Sequence, residues 1–256
     1  MILTDTHTHL YSEQFNDDID TVIKNSIDKG ITRFFLPNID SSSIDGMMKL
    51  GTDYPDNCFP MMGLHPTSVG ENYKEELVLV EDWLNKQKFC AIGEIGIDLY
   101  WDKTFFKEQQ EAFRFQIELA KKYELPFVIH CRDAFDEIFE ILDELNDAKM
   151  RGIFHCFTGT VEQANHIINY GDFKIGIGGV VTFKNSGLDK VVEQIDLKHL
   201  VLETDSPYLA PAPFRGKRNE STYLYTIAEK VVDIYNISIE EVAEITTANS
   251  KEVFGF

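Results

Sequence analysis

Eight short apolar runs, many of them rich in β-branched residues, recur at roughly even spacing along this chain: MILTDTH (1–7), ITRFFLP (31–37), CFPMMGLH (58–65), CAIGEIG (90–96), PFVIHC (126–131), RGIFHCF (151–157), FKIGIGG (173–179) and HLVLETD (199–205). Helical signals fill the intervals. Residues 13–30 carry Phe15, Ile19, Val22, Ile23 and Ile27 at steps of three and four, with Gly30 as a stop. Residues 106–126 repeat the pattern and close on Pro126, and Ser238 with Glu241 has the spacing of a capping box for a last helix. The helices after the sixth and seventh runs are expected to be short. Strands that alternate with helices imply right-handed crossovers and a parallel sheet. Eight such units in 256 residues fit a closed (β/α)8 TIM barrel better than an open doubly wound sheet, because no GxGxxG follows the first strand. No Pro/Gly/Ser-rich linker divides the chain, so one domain over residues 1–256 is the simplest account.

Composition narrows what such a barrel can do. With 43% hydrophobic and 26% charged residues the chain reads as a soluble globular protein. No stretch is long and apolar enough to span a bilayer and the first residues lack the pattern of a secretory signal, so a cytoplasmic location and no membrane partner are expected. Cys58, Cys90, Cys131 and Cys156 show no CxxC spacing and are expected as reduced thiols rather than disulfides or a thiolate metal site. Against 24 basic residues stand 43 acidic ones, a net charge of -19, which excludes a non-specific coat for nucleic acid. A polyanionic substrate would have to be held by local positive charge or by metal. No obligate protein partner is evident.

Parallel barrels place their active sites at the C-terminal ends of the strands, and the unusual polar residues of this chain fall there repeatedly. His7 and His9 end the first run, with Asp5 expected on the same face by strand alternation. His65 ends the third, Glu94 the fourth, His130 the fifth, His155 the sixth and Asp205 the eighth. A histidine at a strand end is commonly a hydrogen-bonded rim residue, and an Asp before Ser-Pro a turn former. That explanation must be invoked separately for each residue and gives no reason for their convergence on one mouth. His166, inside a helix, and His199, at the far end of the eighth strand, are read as structural. The remaining imidazoles and carboxylates exceed what one tetrahedral ion can use, which points to two divalent ions bridged by a carboxylate. Histidine and carboxylate donors suit Zn, Mn or Fe and, less well, Mg.

The ordered strings DTHTHL, GLHP, GEIGID, PFVIHCRDA, FHCFTG and LETDSPYLAP…RGKRNE resemble the TatD family of metal-dependent deoxyribonucleases, within the amidohydrolase-like superfamily of barrels, and TTANSKEVF is similar to the family's closing helix. The resemblance implies that His7, His9 and Asp205 hold one metal, that Glu94 bridges to a second held by His130 and His155, and that His65 contacts the substrate phosphate. It also implies DNA or another phosphodiester as substrate. The chain departs from the family where many members read HPH and it has His65-Pro66-Thr67, and where many read RNEP and it has Ser221 after Glu220. Neither departure touches an implied ligand.

Separately from the resemblance, Arg215, Lys217 and Arg218 form the densest basic cluster of the chain, in the loop after the eighth strand, and Arg132 follows His130 at the same rim. Loops in that position frequently bind phosphate, and arginine matches its oxygens with a planar fork. The expected reaction is attack by metal-activated water on phosphorus. With Glu94 as the bridge the resemblance implies, Asp205 is expected to act as base and His65 to protonate the departing oxygen or steady the phosphate. Metal-dependent hydrolysis follows from the residues, and action on DNA from the resemblance. Two alternatives remain open at this point: an amidohydrolase acting on a small cyclic amide or ester, and a catalytically silent, metal-stabilised scaffold.

Overall fold

Eight parallel strands form within the eight apolar runs: β1 (Leu3–Asp5), β2 (Ile31–Pro37), β3 (Cys58–Met61), β4 (Ile92–Asp98), β5 (Phe127–Arg132), β6 (Gly152–Phe154), β7 (Phe173–Ile177) and β8 (Leu200–Leu202). The computed structural model describes all 256 residues. Helices α1 (Ile19–Asp28), α2 (Ile44–Asp53), α3 (Tyr73–Lys86), α4 (Phe106–Tyr123), α5 (Phe135–Leu145), α6 (Val161–Asn169), α7 (Leu188–Val192) and α8 (Leu224–Tyr235) follow the strands in turn, and α9 (Ile239–Phe254) is added at the end. One ladder runs β1-β2-β3 and the other β4-β5-β6-β7-β8. A parallel bridge from Met62 to Ile92 joins them on one side. On the other the Thr6 amide donates to the Leu202 carbonyl at 3.1 Å and the Asp205 amide to the His7 carbonyl at 2.9 Å. The sheet is therefore closed, and the molecule is a (β/α)8 barrel.

Strand alternation sorts the core into two layers. Phe34, Ile129, Phe154, Leu200 and Leu202 join a large cluster shared with the helices, whereas Phe35, Met61, Val128, Ile153 and Val201 form a small cluster of the opposite parity, inside the barrel. Val253 of α9 belongs to the inner cluster, and Phe254 and Phe256 lie against it. The last helix thus closes one end of the barrel.

Several boundaries differ from the sequence reading. α6 and α7 are short, as expected, but α1 begins only at Ile19, and Phe15 sits in a separate 3-10 turn capped by Ser12. Ser238 accepts from the Glu241 amide at 3.2 Å, half of the expected box. The reciprocal box is made instead by Thr160 and Gln163 at the start of α6. β1 ends at Asp5, so His7 and His9 lie beyond the strand, and Glu94 is the third residue of β4 rather than its last. All four cysteines are unpaired, as expected. Cys131 packs against the outer cluster and, like Cys156, whose φ is +47°, also lines the central cavity. No helix is long and apolar enough to cross a membrane.

Candidate metal centre

The inner parity that carries Val128, Ile153 and Val201 continues two residues further as His130, His155 and Glu203. Apolar side chains fill the barrel below and ionisable ones replace them at the mouth. His7 Nε2 and His9 Nε2 lie 3.3 Å apart. Glu94 Oε2 is 3.1 Å from the first and 3.8 Å from the second, and Asp205 Oδ1 is 3.8 and 3.5 Å from them. Four donors around one ion with bonds near 2.0–2.1 Å stand about 3.3–3.4 Å from one another. His7, His9 and Glu94 converge closely enough to hold one divalent cation, with the Asp205 carboxylate beside both imidazoles. The other oxygen of the same carboxylate, Glu94 Oε1, lies 2.7 Å from His130 Nδ1 and 2.9 Å from His155 Nε2. On this side the closest mutual group is His65, Glu94 and His130, and His155 with His7 and Glu203 forms another.

Hydrogen bonds on the far side of four of the five rings assign tautomers, whereas His7 Nδ1 has no partner. Tyr11 donates its hydroxyl to the Pro37 carbonyl and faces His9 Nδ1 at 2.8 Å, so His9 donates from Nδ1 and presents a lone pair at Nε2. His155 faces Glu203 through Nδ1 at 3.1 Å, and His130 faces Asp98 through Nε2 at 2.9 Å, leaving His155 Nε2 and His130 Nδ1 as donors toward Glu94. A carboxylate behind a ligating imidazole fixes its orientation and raises its basicity. His65 is turned the other way. Its Nδ1 accepts from the Thr67 amide at 3.1 Å and faces the Thr67 hydroxyl at 2.7 Å, so the proton sits on Nε2, which points into the site 3.5 Å from Glu94. By these bonds His9, His130 and His155 turn a second nitrogen toward the donors, and His65 presents an N–H.

The electrostatics run against this division at His155 and His130, where the neighbouring carboxylates favour a proton on both ring nitrogens, and agree with it at His7 and His65. Burial works to raise the pKa of Glu94, but His155, His7, His65 and His130 around it hold the carboxyl well below its usual range. Burial lowers and Glu94 and Glu203 raise the pKa of His155, with the carboxylates dominating. His7 is lowered by burial and by the His155 ring stacked on it at 3.7 Å. His65 is also lowered by burial, keeping it neutral. Asp205 stays below its ordinary value despite burial, because His9, His155 and His7 lie beside it. Asp5 does not share the face of His7 and His9, as strand alternation had suggested. It accepts from the Thr204 amide, the Thr204 hydroxyl and the Ser221 hydroxyl at 2.9, 2.7 and 2.7 Å, and burial pushes its carboxyl up to about 7. Its role is to join the loops after β1 and β8.

Sequence reasoning missed Asp98, Glu203, Tyr11 and Thr67. Each lies two or four residues from a residue that it named, the spacing already used to pair His7 with His9. Applied once more, the same rule finds all four.

The donors open into a cavity of about 890 Å³ lined by His65, Arg132, Tyr100, Trp101 and Tyr208 among others. The basic loop needs correction. Arg218 does not reach the mouth: its guanidinium grips Asp18 at 2.9 and 2.7 Å, donates to the Gln14 carbonyl and lies 4.5 Å over the Phe15 ring. Arg215 rests on Phe183, Lys217 is exposed, and neither lines the cavity. Of the four predicted basic contacts only Arg132 is at the mouth. His166 pairs with Asp143 at 2.9 Å and His199 lies in the turn before β8, both structural as read.

A barrel with imidazoles and carboxylates crowded at one rim is the architecture of metal-dependent hydrolases. The sequence profile described as TatD related DNase matches residues 4–255, and this chain belongs to the TatD family. It is 39% identical to the uncharacterized metal-dependent hydrolase YabD of Bacillus subtilis, with 99% of each chain covered. To YcfH of Escherichia coli, also an uncharacterized metal-dependent hydrolase, it is 31% identical over 99% of this chain and 96% of that one. The crystal structure of the TatD homolog YjjV from Escherichia coli superposes with a TM-score of 0.93 at 26% identity, covering 99% of this chain and 98% of that one.

Proposed function

We propose that this protein is a two-metal phosphodiesterase that acts on the ends or single-stranded segments of DNA. The observation that carries the reading is the opposed tautomer of His65. His9, His130 and His155 turn a second nitrogen toward the donors, two of them carboxylates, and His65 presents an N–H beside them. His7, His9, Glu94 and Asp205 would hold one ion, and Glu94, His130 and His155 the other. When bound, such a pair activates water near neutral pH and withdraws charge from phosphoryl oxygens. The chain's own groups supply the rest. Asp205 keeps an ionised carboxylate at the site, able to accept the proton released by the attacking water. His65 Nε2–H lies 3.2 Å from His130 Nδ1 and 3.5 Å from Glu94, and would turn from these to donate a hydrogen bond or a proton to the phosphate. The ions and Arg132 supply the positive charge that a protein of net charge -19 otherwise lacks.

The experiment is a comparison of substrates on metal-reconstituted protein. Single-stranded and blunt-ended DNA should be cut and covalently closed relaxed duplex circles spared. Efficient cutting of the circles, or turnover of a cyclic amide that exceeds turnover of every phosphodiester offered, would sink the reading.

A further inference from the structure

Eight large hydrophobic side chains are exposed on this molecule, and four of them, Tyr100, Trp101, Tyr208 and Leu209, line the mouth of the one cavity that holds the metal donors. Trp101 is the most exposed of all, at 70%. It is not a loose surface residue. The Asp98 carboxylate, whose Oδ2 orients His130, accepts from the Tyr100 and Trp101 amides through Oδ1 at 3.0 and 3.2 Å. One carboxylate thus fixes both a candidate metal ligand and the backbone carrying the aromatic pair. The two rings meet edge to face with centroids 4.9 Å apart. The Arg132 guanidinium lies 3.9 Å over the Tyr100 ring and 5.4 Å from that of Trp101, and Arg132 makes no ion pair in a chain with 43 acidic residues.

We infer that Tyr100, Trp101 and Arg132 form a nucleobase subsite: an unpaired base stacks on the Trp101 face while the Arg132 fork takes an adjoining phosphate. The inference rests on the phosphodiesterase reading and deepens it. An exposed indole beside an unpaired guanidinium at the edge of the cavity that holds the metal donors matches a ligand with a flat apolar face and an anion one bond system away. A nucleotide has that shape. Stacking tolerates any base, because every base has a π-face, and it requires the base to be unpaired. Selection for strand ends and single strands then comes from this rim, and the metal donors need not supply it. Tyr100 keeps the Arg132 guanidinium 3.9 Å over its ring, beside the indole, where it can meet the phosphate.

The chain has two tryptophans, Trp83 in α3 and Trp101, so the variant Trp83→Phe leaves Trp101 as the only indole emitter. The metal-loaded variant is titrated with a single-stranded oligothymidylate, and with an abasic strand of the same length that carries the phosphates without bases. Affinity is read by anisotropy of a label on the strand, and stacking by quenching of Trp101. Oligothymidylate should quench the emission and bind about five- to a hundredfold more tightly than the abasic strand, the range one base–aromatic stack supplies. Trp101→Ala should erase that preference and leave abasic affinity unchanged. Equal affinity for the two strands, or tight binding of oligothymidylate without quenching, overturns the base subsite while leaving the phosphodiesterase intact. Failure to bind or cut either strand overturns both together. Preference for oligothymidylate that survives Trp101→Ala would move the base to another surface and also defeat the inference.

Discussion

At the lower end of the barrel Phe35 stacks on Phe59 and Phe254, with ring centroids 5.1 and 3.8 Å away, and Phe256 lies beside it under Arg33. On β5, β6 and β8 the same inner layer changes two residues further on, Val128 giving way to His130, Ile153 to His155 and Val201 to Glu203. The lower layer gains free energy from every apolar group removed from water. The upper layer removes imidazoles and carboxylates from water, which is costly unless they neutralise one another or a cation. Even so, Glu203 Oε2 and His7 Nδ1 are buried without a hydrogen-bond partner. The barrel therefore draws its stability from one end and places its chemistry, at some cost, at the other.

The largest effect expected from breaking this division is at the top. His7→Ala and Asp205→Ala should each lower bound metal and activity by at least about a hundredfold, more than loss of a residue behind a ligand costs, while circular dichroism shows an intact barrel. Metal content measured by mass spectrometry checks it, and full stoichiometry in both variants would contradict the ligand assignment. Phe35→Ala should do the opposite: about 3–5 kcal/mol less stability in denaturant unfolding, with metal content retained. If Phe35→Ala also emptied the centre, the two ends would not be separable.

Most of the fold and of the donor set is legible in the sequence, for a physical reason. Strand and helix periods are written locally, and His7, His9, His65, Glu94, His130, His155 and Asp205 all reach the mouth because the strands are parallel and share one C-terminal end. The partners of the basic loop are not legible. Arg218 and Asp18 are 200 residues apart, and only closure of β8 against β1 brings them together. Likewise Asp5 looks like a neighbour of His7 by alternation, but β1 stops at Asp5 and the chain turns before His7. Local pattern names the residue types at the rim. Long-range pairing decides which of them are free to act.

A smaller effect separates the donors from the residues behind them. Asp98→Asn and Glu203→Gln leave every donor nitrogen in place but remove the charge that orients His130 and His155. Each should weaken metal affinity by about ten- to a hundredfold, with activity recovering as metal is added. Activity that stays lost at saturating metal would mean that these carboxylates meet the substrate themselves.

The smallest effects contrast two arginines that the sequence had grouped as phosphate contacts. Arg132 faces the cavity without an acidic partner, whereas Arg218 is held by Asp18. Neutralising one phosphate contact on a single strand should reduce the slope of log affinity against log salt by roughly 0.7. Arg132→Ala should show that change, from a wild-type slope of only about -2 that reflects few contacts. Arg218→Ala should leave the slope alone and lower stability by under about 1 kcal/mol, because Asp18 is 42% exposed and solvent screens the pair. The pH dependence distinguishes this loss from one of packing on Phe15. The hydrogen bond from Arg218 lowers the pKa of Asp18 in the folded protein, so the pair stabilises above the unfolded aspartate value of about 3.9 and is lost as pH falls through the lower folded value. The stability difference between wild type and Arg218→Ala should therefore shrink below about pH 4. A difference that persists unchanged into acid would assign the role of Arg218 to its contact with the Phe15 ring, and a salt slope that falls with Arg218→Ala would return it to the substrate.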